Sequence, residues 1–238
     1  MRKLVLSGIC VLASTLAFAC SSGKSQQAGA FDNGTAGSAN GGAGGSGGQA
    51  STGGAGGSSQ AAPYPDGPYG YNVGDTLGPD QTFYGYPNPQ KANFGGDLQP
   101  IKLSDFYDPD GSKGIKVILF DVGAVWCQYC RQEESEILSK GYYATYKPKG
   151  AEFFSVLFEA ADGSPSKPSD LQTWTKTYQS DYPNAIDPGF WFGHFFNSNA
   201  APLNMFVNAR TMKIIDEQLG YGQAAQWSAL DGYLSQVK

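Results

Sequence analysis

The sequence predicts an α/β fold in which helices flank a central mixed β-sheet. Two apolar runs, 115–121 (IKVILFD) and 151–158 (AEFFSVLF), are rich in β-branched and aromatic residues, which is typical of buried strands. Each run is followed by a longer segment with a helical pattern, and strands that alternate with helices indicate a sheet covered on both faces. The 176 residues from 63 to 238 are enough for one domain with its own core.

The remaining elements follow in chain order. An irregular N-terminal extension, rich in Pro, Gly and Tyr, begins at residue 63 and contains two short strands. The helix after the first apolar run contains Gly141, a residue that disturbs helices. Pro168 suits the first turn of the next helix. The predicted elements are strands 82–86, 98–101 and 115–121, helix 127–146, strand 151–158, helix 168–180, strands 203–207 and 213–217, and helix 223–236.

Residues 1–19 have the pattern of an export signal. Arg2 and Lys3 precede an apolar stretch that is too short to span a bilayer. The residues before Cys20 resemble a bacterial lipobox, which implies that Cys20 is lipidated and becomes the first residue of the mature chain. We therefore expect an extracytoplasmic protein anchored to a membrane through Cys20. Ordinary secretion, with cleavage after Ala19, stays open as the alternative.

Residues 20–62 are predicted to be a disordered linker. The segment is rich in Gly, Ser and Ala and nearly free of charge, so it cannot bury enough apolar area to offset the entropy of ordering. Such a chain behaves as a flexible spacer. The domains predicted from the sequence are thus a signal peptide at 1–19, a linker at 20–62 and a folded domain at 63–238.

The composition argues against several functions. The chain has 16 Lys and Arg against 21 Asp and Glu, and this net charge of −5 disfavours nucleic acid as a partner. A single histidine, His194, disfavours His-rich metal sites and Ser-His-Asp catalysis. We expect no cofactor and no metal, and we expect His194 to be a packed or surface residue.

The Cys127-Gln128-Tyr129-Cys130 motif is the sharpest chemical signal. It follows a buried strand and opens a helix, where unpaired N–H groups and the helix dipole favour a thiolate. Cys127 is therefore predicted to attack and Cys130, one turn further on, to resolve the mixed disulfide. Half of a zinc site and a purely structural disulfide are the alternatives from the residues alone.

Residues 120–131 (FDVGAVWCQYCR) resemble the active-site segment of the thioredoxin superfamily, and most of all its extracytoplasmic TlpA/ResA-like, redoxin-type branch. The resemblance implies a thioredoxin-like fold and a redox-active Cys127–Cys130 disulfide. It implies that Asp121 is a buried carboxylate that exchanges protons with the resolving thiol. It also implies that Pro202 is a cis-proline beside the disulfide. The substrate groove is then expected to involve Trp126, Gln128, Tyr129 and Ala201.

The function that follows is a thiol–disulfide oxidoreductase. Its expected partners are thiols and disulfides of exported proteins, a membrane electron donor and the lipid anchor. The Gln-Tyr dipeptide departs from the pairs common in this branch, so the direction of electron flow stays open. The glutamates at 133, 134 and 136 are predicted to form a solvated helix face.

Three other functions are weighed. A peroxiredoxin would have Thr-x-x-Cys after a proline, whereas Ala124 stands three residues before Cys127. A Sco-type copper-delivery protein would have Cys-x-x-x-Cys and a distant histidine, and here the cysteine spacing is one residue shorter. A non-catalytic surface-binding lipoprotein with a thioredoxin fold is the third alternative.

Overall fold

The computed structural model describes residues 62–196 and 198–238. The predicted signal peptide, Cys20 and the linker up to residue 61 lie outside these described residues. No helix in the described ranges is long and apolar enough to cross a membrane. The elements are β1 Thr82–Tyr86, β2 Gln99–Lys102, β3 Val117–Ala124, α1 Gln128–Lys140, α2 Tyr142–Tyr146, β4 Ala151–Glu159, α3 Pro168–Tyr178, β5 Asn184–Ile186, β6 Leu203–Asn208, β7 Lys213–Leu219 and α4 Ala224–Gln236.

The seven strands form one mixed sheet in the order β2-β1-β5-β4-β3-β6-β7. The central strands β3, β4 and β5 are parallel, while β6 and β7 on one side and β1 and β2 on the other are antiparallel to their neighbours. This arrangement confirms the predicted mixed sheet with flanking helices.

Two elements differ from the prediction. The helix expected over 127–146 is divided at Gly141, whose φ of 62° lies in the left-handed region that ends helices. A second short helix, α2, then runs on to Tyr146. The strand β5 was not predicted, because three residues (Asn-Ala-Ile) are too few to display a strand pattern.

Each face of the sheet carries its own apolar core, because side chains alternate along a strand. Even-numbered residues of β3, such as Phe120, belong to a cluster with Phe154, Phe192 and Met205. Odd-numbered residues, such as Leu119, belong to the opposite cluster, which α1, α2 and α4 cover. On this second face, Asp121 and Gly123 follow Leu119 toward the end of β3.

Candidate active site

A disulfide joins Cys127 and Cys130 at the carboxyl end of β3, with 5.3 Å between their Cα atoms. Cys127 is the N-cap of α1, and the backbone N–H of Cys130 donates a hydrogen bond to Cys127 Sγ at 3.0 Å. Both residues are buried, with 4% of Cys127 and 1% of Cys130 exposed. Because the helix N-terminus directs free N–H groups at Cys127 Sγ, negative charge on this sulfur is stabilised when the disulfide opens.

A glycine of β3, Gly123, faces the disulfide. A Cβ atom at Gly123 would lie 3.0 Å from both Cβ and Sγ of Cys130, so the backbone of β3 approaches Cys130 closely. Asp121 stands two residues earlier and therefore on the same face of the sheet, about 7 Å further along. Asp121 is also 95% removed from solvent. The predicted buried position of this carboxyl is thus observed, on the face that carries Cys130.

Two more carboxyl groups lie beside Asp121. In the sheet, Asp121 is flanked by Ser155 of β4 and Asn204 of β6. Ser155 Oγ donates to Glu134 Oε1 at 2.6 Å, and Asn204 Nδ2 donates to Glu133 Oε2 at 3.2 Å. The prediction that Glu133 and Glu134 form a solvated helix face is therefore wrong, because both side chains are fully buried against the sheet.

Each of these glutamates has further donors. Glu134 also accepts from Trp174 Nε1 at 3.1 Å and from the Tyr182 hydroxyl. Glu133 also accepts from Gln226 Nε2 of α4. Glu136, by contrast, is partly exposed, as predicted, and pairs with Lys140 at 3.0 Å.

Burial sets the electrostatics of this acid cluster, defined here as Asp121, Glu133 and Glu134. Loss of hydration raises the pKa of Asp121 well above its ordinary value, and the charges of the two glutamates raise it further. Burial raises the pKa of Glu133 to about 8, although hydrogen bonds from Gln226 and Asn204 oppose the shift. Burial also raises the pKa of Glu134 against its three hydrogen bonds. Glu133 can therefore hold a proton at neutral pH, close to Asp121 and to the helix turn that carries Cys130.

A cavity of about 570 Å³ opens over Cys127. The Ala201–Pro202 peptide bond is cis, as predicted, and Ala201 lines the cavity. Trp126, Gln128 and Tyr129 line it as well, and the last two are exposed. The opposite wall is the turn 219–222, where the Tyr221 hydroxyl donates to Glu136 Oε2 at 2.5 Å. The residues predicted for the groove therefore meet around one cysteine.

Trp126 stands at the rim and is 45% exposed. Its Nε1 donates to Glu159 Oε2 at 2.7 Å, which fixes the indole ring at the end of β4. The Arg131 guanidinium donates to the Val125 carbonyl at 2.6 Å and so stabilises the turn between β3 and α1. His194 is exposed and stacks on Tyr71 with ring centroids 4.5 Å apart, consistent with the predicted surface role.

The sequence contained a signal for the acid cluster that the prediction did not use. Glu133 and Glu134 follow Cys130 by three and four residues, and both precede the buried Ile137 by four and three. Residues at these spacings share one face of a helix. The face that carries Cys130 and Ile137 must therefore also carry both glutamates. Glu159 and Tyr221 could not be predicted, because they are distant from Cys127 in the sequence and only the folded chain brings them near it.

One protein family matches most of the folded domain. The profile of the AhpC/TSA family matches residues 85–219, which is more than half of the chain. Comparison with curated protein sequences gives no match.

Several solved structures have a similar fold. A proposed protein disulfide isomerase from Bacteroides thetaiotaomicron is 19% identical, with a TM-score of 0.51 over 71% of this chain and 91% of its own. An uncharacterized conserved protein from Geobacillus kaustophilus is 14% identical, with a TM-score of 0.50 over 70% of this chain and 84% of its own. A proposed thiol:disulfide interchange protein DsbE from Chlorobium tepidum is 20% identical, with a TM-score of 0.49 over 70% of this chain and 98% of its own. The chain belongs to the AhpC/TSA family and has a thioredoxin-like fold, with Cys127 and Cys130 paired in a disulfide.

Proposed function

We propose that the protein exchanges disulfides with other exported proteins outside the cytoplasm, held at a membrane by a lipidated Cys20. The observation that carries this proposal is the position of the Cys127–Cys130 disulfide. It caps a helix, it lies beneath an open cavity, and a cis-proline loop forms one wall of that cavity. The alternative is a protein that is secreted without a lipid anchor.

In the reducing direction, the Cys127 thiolate attacks a substrate disulfide, forms a mixed disulfide and expels one substrate thiolate. Cys130 then attacks Cys127 Sγ, which closes the Cys127–Cys130 disulfide and expels the second substrate thiolate. Two electrons pass from the dithiol to the substrate. In its ionised form Asp121 accepts the proton that Cys130 loses as it attacks. The raised pKa makes this carboxylate a stronger base, and it shares a face of the sheet with Cys130.

Substrate binding is assigned to the cavity over Cys127. Trp126, Gln128 and Tyr129 shape one side of the groove, and Ala201, which precedes the cis-proline Pro202, shapes another. A polypeptide is a fitting substrate because the groove is open along its length rather than enclosed. The reduced state must be restored by an electron donor, and for an anchored reductase this donor lies in the membrane.

Pro63, at the start of the folded domain, lies at the end of the sheet opposite the disulfide. The Tyr107 hydroxyl donates to the Pro63 carbonyl at 3.1 Å, and the next residue, Asp108, bonds Ala209 beyond the end of β6. This is the end of the sheet where β3 begins, whereas Cys127 follows the other end of β3. The eight residues of β3 separate the two ends by about 25 Å. A tether at Pro63 would leave the disulfide facing away from its attachment point.

The redox test is a titration of residues 62–238, which contain both cores, in glutathione buffers, with Cys127→Ser as the control. We expect reversible two-electron cycling of wild type and none in the variant. A potential near or below about −250 mV would mark a reductase, and one near −120 mV would mark an oxidant. Absence of cycling would exclude the oxidoreductase function in favour of a binding lipoprotein.

The anchor is tested on the full chain expressed in a bacterial host. We expect the wild-type protein in the membrane fraction with the added mass of a lipid, and Cys20→Ala in the soluble extracytoplasmic fraction. Wild type that is soluble and free of lipid would favour secretion instead.

The other functions have their own tests. Peroxide turnover would favour a peroxiredoxin, although Ala124 is a buried methyl group where that chemistry uses a threonine hydroxyl. Stoichiometric copper binding would favour copper delivery, although His194 stacks on Tyr71 and does not line the cavity over Cys127.

A further inference from the structure

Phe190 is an exposed aromatic residue in a strained backbone conformation. Its φ is 52°, in the left-handed region that large side chains rarely adopt, and 41% of the residue is exposed. Strain of this kind persists only where the surroundings impose it, and it is concentrated at functional positions. A large apolar side chain that is exposed to water in spite of this backbone strain therefore indicates a surface that binds another molecule.

Two sets of contacts impose this conformation. The buried Asp187 carboxylate accepts the backbone N–H groups of Trp191 and Phe192, each at 2.9 Å, and the Asp187 carbonyl accepts the Phe190 N–H at 2.9 Å. The Phe190 ring is packed on Gly193, where a Cβ atom would come within 2.8 Å of the ring. Phe190 is thus fixed in both backbone and side chain.

The fixed ring forms one wall of a cavity of about 460 Å³. Phe158 and Phe196 line it too, with centroids 4.5 Å and 5.3 Å from that of Phe190. Trp126 lines both this cavity and the one over Cys127. The two cavities share Trp126, Asn199, Ala200 and Ala201, so they form one continuous groove.

One wall of the aromatic cavity carries negative charge. Glu159 lines the cavity, and its Oε2 accepts the Trp126 hydrogen bond. Among the residues that the structure describes, no Lys or Arg forms an ion pair with Glu159. The aromatic lining of the cavity is complementary to an apolar ring of a ligand. Glu159 repels an acidic residue next to that ring.

We propose that this cavity is a specificity subsite that binds an aromatic side chain of the substrate polypeptide close to its exchanging cysteine. The inference rests on the proposed function, because the substrate cysteine must reach Cys127 while the flanking chain follows the groove. An extended chain advances about 3.3 Å per residue and returns to the same side every second residue. An aromatic residue two positions from the cysteine then reaches past Trp126 into the cavity.

The test uses synthetic peptides with one cysteine in a mixed disulfide with a chromogenic thiol. Two peptides carry Phe two positions before or after the cysteine, and matched peptides carry Ala there. Cys127 attacks the peptide sulfur and releases the chromogenic thiolate. Cys130 then attacks Cys127 Sγ and releases the peptide thiolate, so the dithiol supplies both electrons.

The protein is first reduced with excess dithiothreitol, which is then removed, and a single turnover is followed. We expect the second-order rate constant for at least one Phe peptide to exceed that of its Ala partner by about tenfold, since burial of an aromatic ring is worth about this factor. In Phe190→Ala the ratio should fall below about twofold, and in Phe190→Leu it should be intermediate. Tyr69→Ala removes an exposed aromatic residue outside the cavity and should keep the wild-type ratio.

Charge gives a second readout. A glutamate beside the Phe should slow exchange relative to a lysine, and Glu159→Gln, which keeps an acceptor for Trp126, should remove this difference. Equal rates for Phe and Ala peptides in wild type, or the same loss of selectivity in Tyr69→Ala, would overturn the subsite. Failure to react with every peptide and with oxidised glutathione would instead overturn the proposed function.

Discussion

Gly123 and Cys130 are in such close contact that a side chain at position 123 would displace Cys130. A Cβ atom there would lie 3.0 Å from both Cβ and Sγ of Cys130. Carbon and sulfur atoms that are not bonded do not approach so closely without displacement of one of them. The glycine therefore sets how closely β3 and α1 pack at the disulfide.

We expect Gly123→Ala to lower the free energy of unfolding of the oxidised protein by about 1–3 kcal/mol, because Cys130 must move out of its packed position. Chemical denaturation would measure this. Gly232→Ala is the matched control, since Gly232 lies within α4 with no atom near its missing Cβ, and alanine there should stabilise the helix by up to about 1 kcal/mol. Similar effects from both substitutions would contradict the close contact.

The strands and helices could be predicted because their signals are local. The apolar runs of β3 and β4 and the cysteine motif at the start of α1 depend on neighbouring residues alone. The strand β5 could not be predicted, since its three residues become a strand only by pairing with β1 and β4. Long-range pairing of so short a segment leaves no periodic pattern in the sequence.

The candidate site was predictable only in part for the same reason. The cysteines follow from a local motif, and Asp121 and Pro202 follow from the resemblance of the surrounding residues to the thioredoxin superfamily. The burial of Glu133 depends on Asn204 and Gln226, which are 71 and 93 residues away in the chain. Its charge alone predicts that a glutamate is exposed to water. The hydrogen-bond donors on β6 and α4 offset the cost of burying this one.

Glu133 should make the protein less stable as the pH rises. Its pKa is raised to about 8 in the folded state, so the folded protein binds this proton more tightly than the unfolded chain. Its contribution to stability is full below the unfolded pKa near 4.3 and is lost as the pH approaches 8. We expect Glu133→Gln, a neutral side chain of the same shape, to flatten the decline in unfolding free energy between about pH 5 and pH 8.

Glu136→Gln is the control for this pH profile. Hydrogen bonds from Tyr221 and Lys140 lower the pKa of Glu136, so its stabilising effect is lost as the pH falls rather than as it rises. This variant should keep the decline above pH 5. A Glu133→Gln profile with the wild-type slope in this range would show that Glu133 does not retain its proton on folding.

Cys127 should be much the more reactive thiol of the reduced pair. It caps α1 and receives the Cys130 N–H, whereas Cys130 lies inside the first turn beneath Gly123. We expect iodoacetamide to alkylate Cys127 in the Cys130→Ser variant at least about tenfold faster, near neutral pH, than Cys130 in the Cys127→Ser variant. Equal rates would mean that the helix N-terminus does not activate Cys127.

Asp121→Asn should change stability and turnover in opposite directions. The pKa of Asp121 is raised by burial and by the neighbouring glutamates, so its ionisation in the folded state is unfavourable and neutral asparagine removes that cost. We expect a higher unfolding midpoint near pH 8, where the unfolded chain would otherwise favour the ionised aspartate. If Asp121 accepts the Cys130 proton, release of the mixed disulfide should slow by tenfold or more, measured by single-turnover exchange. Asp66→Asn, at an exposed position, should alter neither quantity. A stabilised variant with wild-type exchange would leave Asp121 as a structural acid and assign proton transfer to another group of the cluster.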